Sequence, residues 1–199
     1  MPAAELALFH SNLSFARDMA ATAAALAAHV SPVMNTDDLL RAALVQGVSA
    51  FDHFVHEELR ARMLRIQVGT YPRVSGFERF RVSLQSVQQA LTAGGVGWLE
   101  AEVREQHGYQ SFQHPEKIAD AFRLVSNGEF WNAVGIALAR PPADVKRALL
   151  LIVDRRNKIA HEADTDPTPP RTRFPINLLL VTESLDLLDQ IASATQLVL

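Results

Sequence analysis

The chain has 199 residues, of which 48% are hydrophobic and 21% charged, a composition that suits one packed domain and argues against disorder. Without a cysteine it can form no disulfide, thiolate metal site or cysteine nucleophile, which fits a reducing compartment. A net charge of −3 gives no global basic footprint for nucleic acid, so any such contact must come from a local patch.

The alanine-rich start (Ala20 to Ala28) invites comparison with a signal peptide. Glu5 stands where a basic region would be, however, and Arg17 and Asp18 interrupt the segment. No apolar run of about 18 residues follows anywhere, so the expectation is a cytoplasmic protein with no membrane partner. Residues 3–30 read as one long helix with Leu6, Phe9, Leu13 and Ala16 on a stripe, stopped at Ser31-Pro32. A second helix starts at Asn35 or Thr36, with Asp37 and Asp38 at its positive end, and runs to about Ile66. Leu40, Leu44, Gly47, Val48, Phe51, Val55 and Leu59 form its core stripe, and Gly47 marks a close helix contact. After a loop at 69–76, the spacing predicts a helix over 77–91, the loop Gly94-Gly95-Val96-Gly97, and short helices near 98–107, 115–125 and 130–139. Pro141-Pro142 opens a helix running to about His161. The proline-rich run 164–175 reads as a surface loop. A last helix from Ile176 turns Leu178, Val181, Leu185, Leu188 and Ala192 inward. The chain is thus expected to be all-α: a single helical bundle over 1–199, with about 67–140 elaborating it.

The chemistry is concentrated near the end of the penultimate helix. Residues 148–153 (Ala-Leu-Leu-Leu-Ile-Val) are apolar all round, so that helix is expected to be buried on more than one side, by its own bundle and by a second subunit. Asp154-Arg155-Arg156-Asn157-Lys158-Ile159-Ala160-His161 follows at once. Val145, Leu149, Ile152, Arg156 and Ile159 share a stripe, which puts Arg156 at a core-facing position where its charge must be compensated. Asn157 and His161 share a neighbouring face. Arg156 and His161 lie about 140° apart on an ideal helix, and they converge only if the helix frays or a symmetry mate supplies one of them. Between Arg140 and Arg173, eight cations face five carboxylates, a modest basic patch that includes Arg155 and Lys158.

Arg156-Asn157-x-x-x-His161 resembles the R-x(4–6)-H motif of the HEPN superfamily. The second helix, with Ala43-Leu44-Val45-Gln46-Gly47-Val48-Ser49-Ala50-Phe51-Asp52 and then His56, is similar to the first core helix of its RiboL-PSP-type branch. The resemblance covers about half of the chain. It implies a homodimer with facing motif helices and a metal-independent endoribonuclease, toxin- or defence-linked, that leaves a 2′,3′-cyclic phosphate. His161 would act as general base or acid and Arg156 would hold the phosphate, with Asn157 orienting either. Arg155 and Lys158 would flank the site, and Asp52 would orient Arg156. Asp52 and His56, four apart on one face, could also bond to each other. The alternative is a non-catalytic HEPN scaffold for a partner protein or nucleotide; an antitoxin masking the site is a further partner.

Other motifs carry less. His53-x-x-His56-Glu57 lacks the H-E-x-x-H order and a further ligand set, so no metal or cofactor is expected. Glu57 and Glu58, one turn before Arg62 and Arg65, read as helix charge pairs. Gly94 to Gly97 has neither the strand nor the lysine of a phosphate loop. No serine nucleophile motif occurs, and Trp98 and Trp131 read as core residues.

Overall fold

The computed structural model describes residues 4–29 and 35–199, so the stop at Ser31-Pro32 lies outside the described residues. Among those described, the chain is all-α, with nine helices and no strand. Alanine and leucine, both strong helix formers, carry α1 (Ala4–His29), and its expected stripe is buried. In α2 (Asp37–Gln67) every residue of the expected stripe is buried. The N-cap position of that helix is Thr36, whose side chain makes no cap bond; Asn35, one residue earlier, accepts the Asp37 amide at 2.8 Å. A Cβ on Gly47 would lie 2.2 Å from the Leu185 side chain, so the missing side chain is what lets α2 approach the last helix.

One helix was expected over 77–91, and the structure has two. A single turn, α3 (Ser75–Glu78), is separated from α4 (Leu84–Ala93) by an irregular stretch. The break is set by Ser83, whose hydroxyl caps α4 at the Ser86 amide, and by Glu102, which receives Ser83 and Ser86 from the next helix. That helix is α5 (Gly97–His107), followed by α6 (Pro115–Phe122) and α7 (Phe130–Ala137). All three feed one hydrophobic cluster that runs from Leu6 to Ala194 and takes in Leu99, Val103, Ile118, Phe122 and Trp131.

α8 (Pro142–His161) and α9 (Leu178–Val198) complete the bundle. Asn177 caps α9 by accepting the Leu180 amide at 2.8 Å, so the helix begins two residues later than the pattern suggests. Val181, Leu185, Leu188 and Ala192 are buried, but Leu178, at the first position of the helix, is 41% exposed. α2 is the hub, packing against α1, α5, α6, α8 and α9. α8 and α9 touch each other only slightly. Between them a groove of about 620 Å³ is lined by Ala148, Leu151, Ile152, Leu179 and Leu187.

Candidate functional site

Two features position the motif segment. The first is the burial of Val145, Leu149, Ile152 and Val153 on α8, which fixes the helix's rotation. The second is the segment 162–177, which turns back sharply after His161. Ala163 and Asp164 both take positive φ, 51° and 58°, a conformation disfavoured for residues with a side chain unless their surroundings impose it. What imposes it is Asp164. Its carboxylate is fully buried and accepts Arg41 Nε at 2.7 Å and an Arg155 terminal nitrogen at 2.8 Å on the same oxygen. The two guanidinium groups also reach the Phe174 carbonyl, at 2.8 and 3.1 Å. The expected surface loop is therefore fastened to α2 and α8 by a buried charge cluster. Thr165 pairs with Arg173 in an isolated bridge that closes the turn-back.

Arg155, expected to flank the site, is engaged by Asp164. Burial pushes its pKa down, Asp164 opposes that, and Arg41 adds to the lowering. Lys158 is engaged by Asp154 at 3.2 Å and lies over the Phe174 ring.

Arg156 behaves differently. It is half-buried at the end of the α8 stripe, which softens the expected core-facing placement. No carboxylate pairs with it among the described residues. Its one side-chain bond goes to Asn157 Oδ1 at 3.0 Å, and its Nε, like that of Arg155, is buried with no partner. Of the cations in the local patch, Lys146, Arg147, Arg155, Lys158 and Arg173 each have a carboxylate. Arg140 and Arg171 have none, but they are exposed.

His161 is exposed at the last position of α8. The helix does not fray before it, since the Glu162 amide still donates to the Lys158 carbonyl at 2.9 Å. Helical phasing therefore holds, and Arg156 and His161 remain about 140° apart within one chain. The structure brings Arg156 and Asn157 together, and leaves His161 on another face.

Asp52 is not with them. Its carboxylate accepts the Phe112 amide at 2.6 Å. His56 bonds the Gln110 carbonyl at 3.2 Å and packs its ring 4.5 Å from that of Phe112. Neither the Asp52–Arg156 nor the Asp52–His56 contact is present. Instead both side chains hold the segment after α5, whose backbone groups need partners because it is no longer helical. Two residues that matter here carried no sequence signal of function. Asp164 lay in a proline-rich run, and Arg41 beside a core stripe; a charge placed next to apolar residues was the available hint.

His53, His56 and His107 line a separate cavity of about 310 Å³ with Glu57, Arg60 and Arg104. Burial, with His56 adding, pushes the His107 pKa down. Arg60 and Arg104 are both engaged by Glu57 and Glu100. Among the described residues no three His, Asp or Glu side chains are arranged to hold a metal ion. No helix of the described residues is long and apolar enough to cross a membrane.

No family model, curated protein or solved structure matches the chain.

Proposed function

We propose that this protein is a metal-independent endoribonuclease of the HEPN kind, working as a homodimer. The observation that carries the reading is Arg156: a half-buried guanidinium with no carboxylate and a buried Nε without a partner. A charge held that way is costly in the free protein and suits an incoming anion. An RNA phosphate supplies the missing acceptor in a bidentate contact. His161, exposed five residues on, supplies an imidazole nitrogen that takes the proton of a ribose 2′-OH. The 2′ oxygen attacks phosphorus, the P–O5′ bond breaks, and a protonated histidine returns a proton to the departing oxygen. The products are a 2′,3′-cyclic phosphate and a free 5′-OH. Arg156 offsets charge on the phosphate oxygens as they crowd phosphorus, with Asn157 steering its guanidinium.

Helical phase separates Arg156 from His161 in one chain, so the reading needs two copies, one offering its arginine and the other its histidine. The apolar groove that includes Leu151, which is 66% exposed, supports α8 as the meeting face. Incubation of the purified protein with single-stranded RNA in EDTA tests the proposal. The expected result is cleavage to cyclic-phosphate ends, reduced about 10²–10⁴-fold by His161→Ala and comparably by Arg156→Ala. Equal cleavage by all three proteins, or by none, would remove the ribonuclease claim. Dimerisation through α8 without cleavage leaves a scaffold that binds a partner protein.

A further inference from the structure

Helix α4 wears its apolar residues on the outside. Leu84, Val87 and Leu91 follow one another at i, i+3 and i+7, so they share one helical face. They are 88%, 42% and 82% exposed. Ser86 is the one buried residue of the helix. An amphipathic helix in a closed monomer is normally turned the other way.

The inversion is enforced by polar contacts. Glu102 on α5 is 4% exposed. It accepts the Ser83 amide at 3.2 Å, the Ser83 hydroxyl at 2.8 Å, and the hydroxyl of Ser86. Gln106 binds the same carboxylate. These bonds fix the first turn of α4 on α5, which among the described residues is the one helix that α4 packs against appreciably. The leucines then have nowhere to point but outward.

The chemistry of the stripe selects its partner. From Val82 to Leu99 the sequence has no Asp, Glu, Lys, Arg or His. Helices that lie on lipid are typically rich in Lys and Arg on their polar face, and nucleic acid needs cations for its phosphates; this surface carries no cation. A two-fold interface, by contrast, sets a surface against itself, where an uncharged one meets no like-charge repulsion. The order of residues also fits. Laid antiparallel with full overlap, Leu84 meets Leu91 at both ends, and Val87 and Gln88 meet at the centre.

We propose that α4 is a self-association surface, on which two copies of this chain pair antiparallel with Leu84 of each against the partner's Leu91. A helix of this length spans about 15 Å, and its face alone falls short of the ~1,200 Å² typical of stable interfaces. The pairing is therefore weak and concentration-dependent, and it is distinct from the α8 face. It does not rest on the ribonuclease reading.

Because the chain has no cysteine, engineered thiols report contacts without background. Leu84→Cys and Leu91→Cys are made separately in the full chain; both positions are exposed, so folding is not at stake. Under mild oxidation at high protein concentration, an equimolar mixture of the two should give a covalent dimer. Either variant alone should not, because its own mates lie seven residues apart, about 10 Å, beyond disulfide reach. In sedimentation equilibrium, Leu84→Glu with Leu91→Glu should weaken self-association at least tenfold. Leu151→Glu should leave the mixed cross-link intact. Cross-linking by Leu84→Cys alone as efficient as in the mixture, no cross-link in the mixture, or association unchanged by the double glutamate variant would each overturn the proposal. So would binding to neutral phosphatidylcholine vesicles that the glutamates abolish, which would assign the stripe to lipid.

Discussion

Arg155 gives its guanidinium to Asp164 and two backbone carbonyls, while its neighbour Arg156 meets only an asparagine. Adjacent positions on a helix differ by about 100°, so one points to the 162–177 segment and the other along the core stripe. Removing one partner from a buried charge cluster costs about 3–5 kcal/mol, because the remaining charges are stranded. Asp164→Ala leaves Arg155 with no carboxylate among the described residues and leaves Arg41, itself 4% exposed, with only its longer pairs to Asp37 and Asp38. The melting temperature should fall by on the order of 10 °C, a drop readable by calorimetry. Arg156 predicts the opposite sign. Its buried Nε is already unsatisfied, so Arg156→Met should keep the stability of the parent or raise it by about 1 kcal/mol, in the same measurement. A residue whose removal stabilises the fold but ends RNA cleavage is one retained for its chemistry.

Elements respond to smaller causes. Gly47 lets α2 and α9 close on each other, and Gly47→Ala would drive a methyl group into Leu185. Both helices are held by other contacts, so the overpacking should cost about 1–3 kcal/mol, seen as a lower urea midpoint with an unchanged slope. α4 is governed by charge. The Ser86 hydroxyl, against the effect of burial and with help from Gln106 and Ser83, holds the Glu102 carboxyl down to about 2, from 4.5. A depressed folded-state pKa stabilises the fold above the unfolded value and loses that contribution as pH falls. Amide protection in α4 should therefore be steady above pH 4.5 and decline toward pH 2. Glu102→Gln should flatten that dependence in hydrogen exchange. The boundary of α4 itself was not legible from periodicity. Apolar spacing runs on through 77–91, and only the Glu102 contacts show that the chain breaks and restarts at Ser83.

At the scale of the whole molecule, α2 sits at the centre and α8 is covered on one side only. The expectation that residues 148–153 face two neighbours finds half of its answer within the chain. Ile152 and Val153 are buried, while Leu151 is 66% exposed in the groove beside Leu179. If Arg156 and His161 act across a two-fold axis, two inactive variants should complement each other. Mixing Arg156→Ala with His161→Ala should restore about one quarter of wild-type cleavage, since half of the dimers are mixed and each keeps one of its two sites. A mixture as inactive as its components would rule out a site shared in this way across the two-fold axis.

The sequence by itself determined most of the helices, though not the break between α3 and α4, and most of their inward faces, because burial at a period of 3.6 residues is a local property that the order of residues records. It also placed Arg156, Asn157 and His161 in one helical segment. Which charges of that segment are available was decided only by the tertiary structure. Arg41, Arg155 and Asp164 are far apart or unremarkable in the chain, and their pairing depends on a turn after His161 that brings 162–177 back onto α2. Asp52 and His56 went the same way, taken up by backbone groups near Phe112. Local spacing fixes the direction in which a side chain leaves its helix; what it meets there is settled by segments tens of residues away.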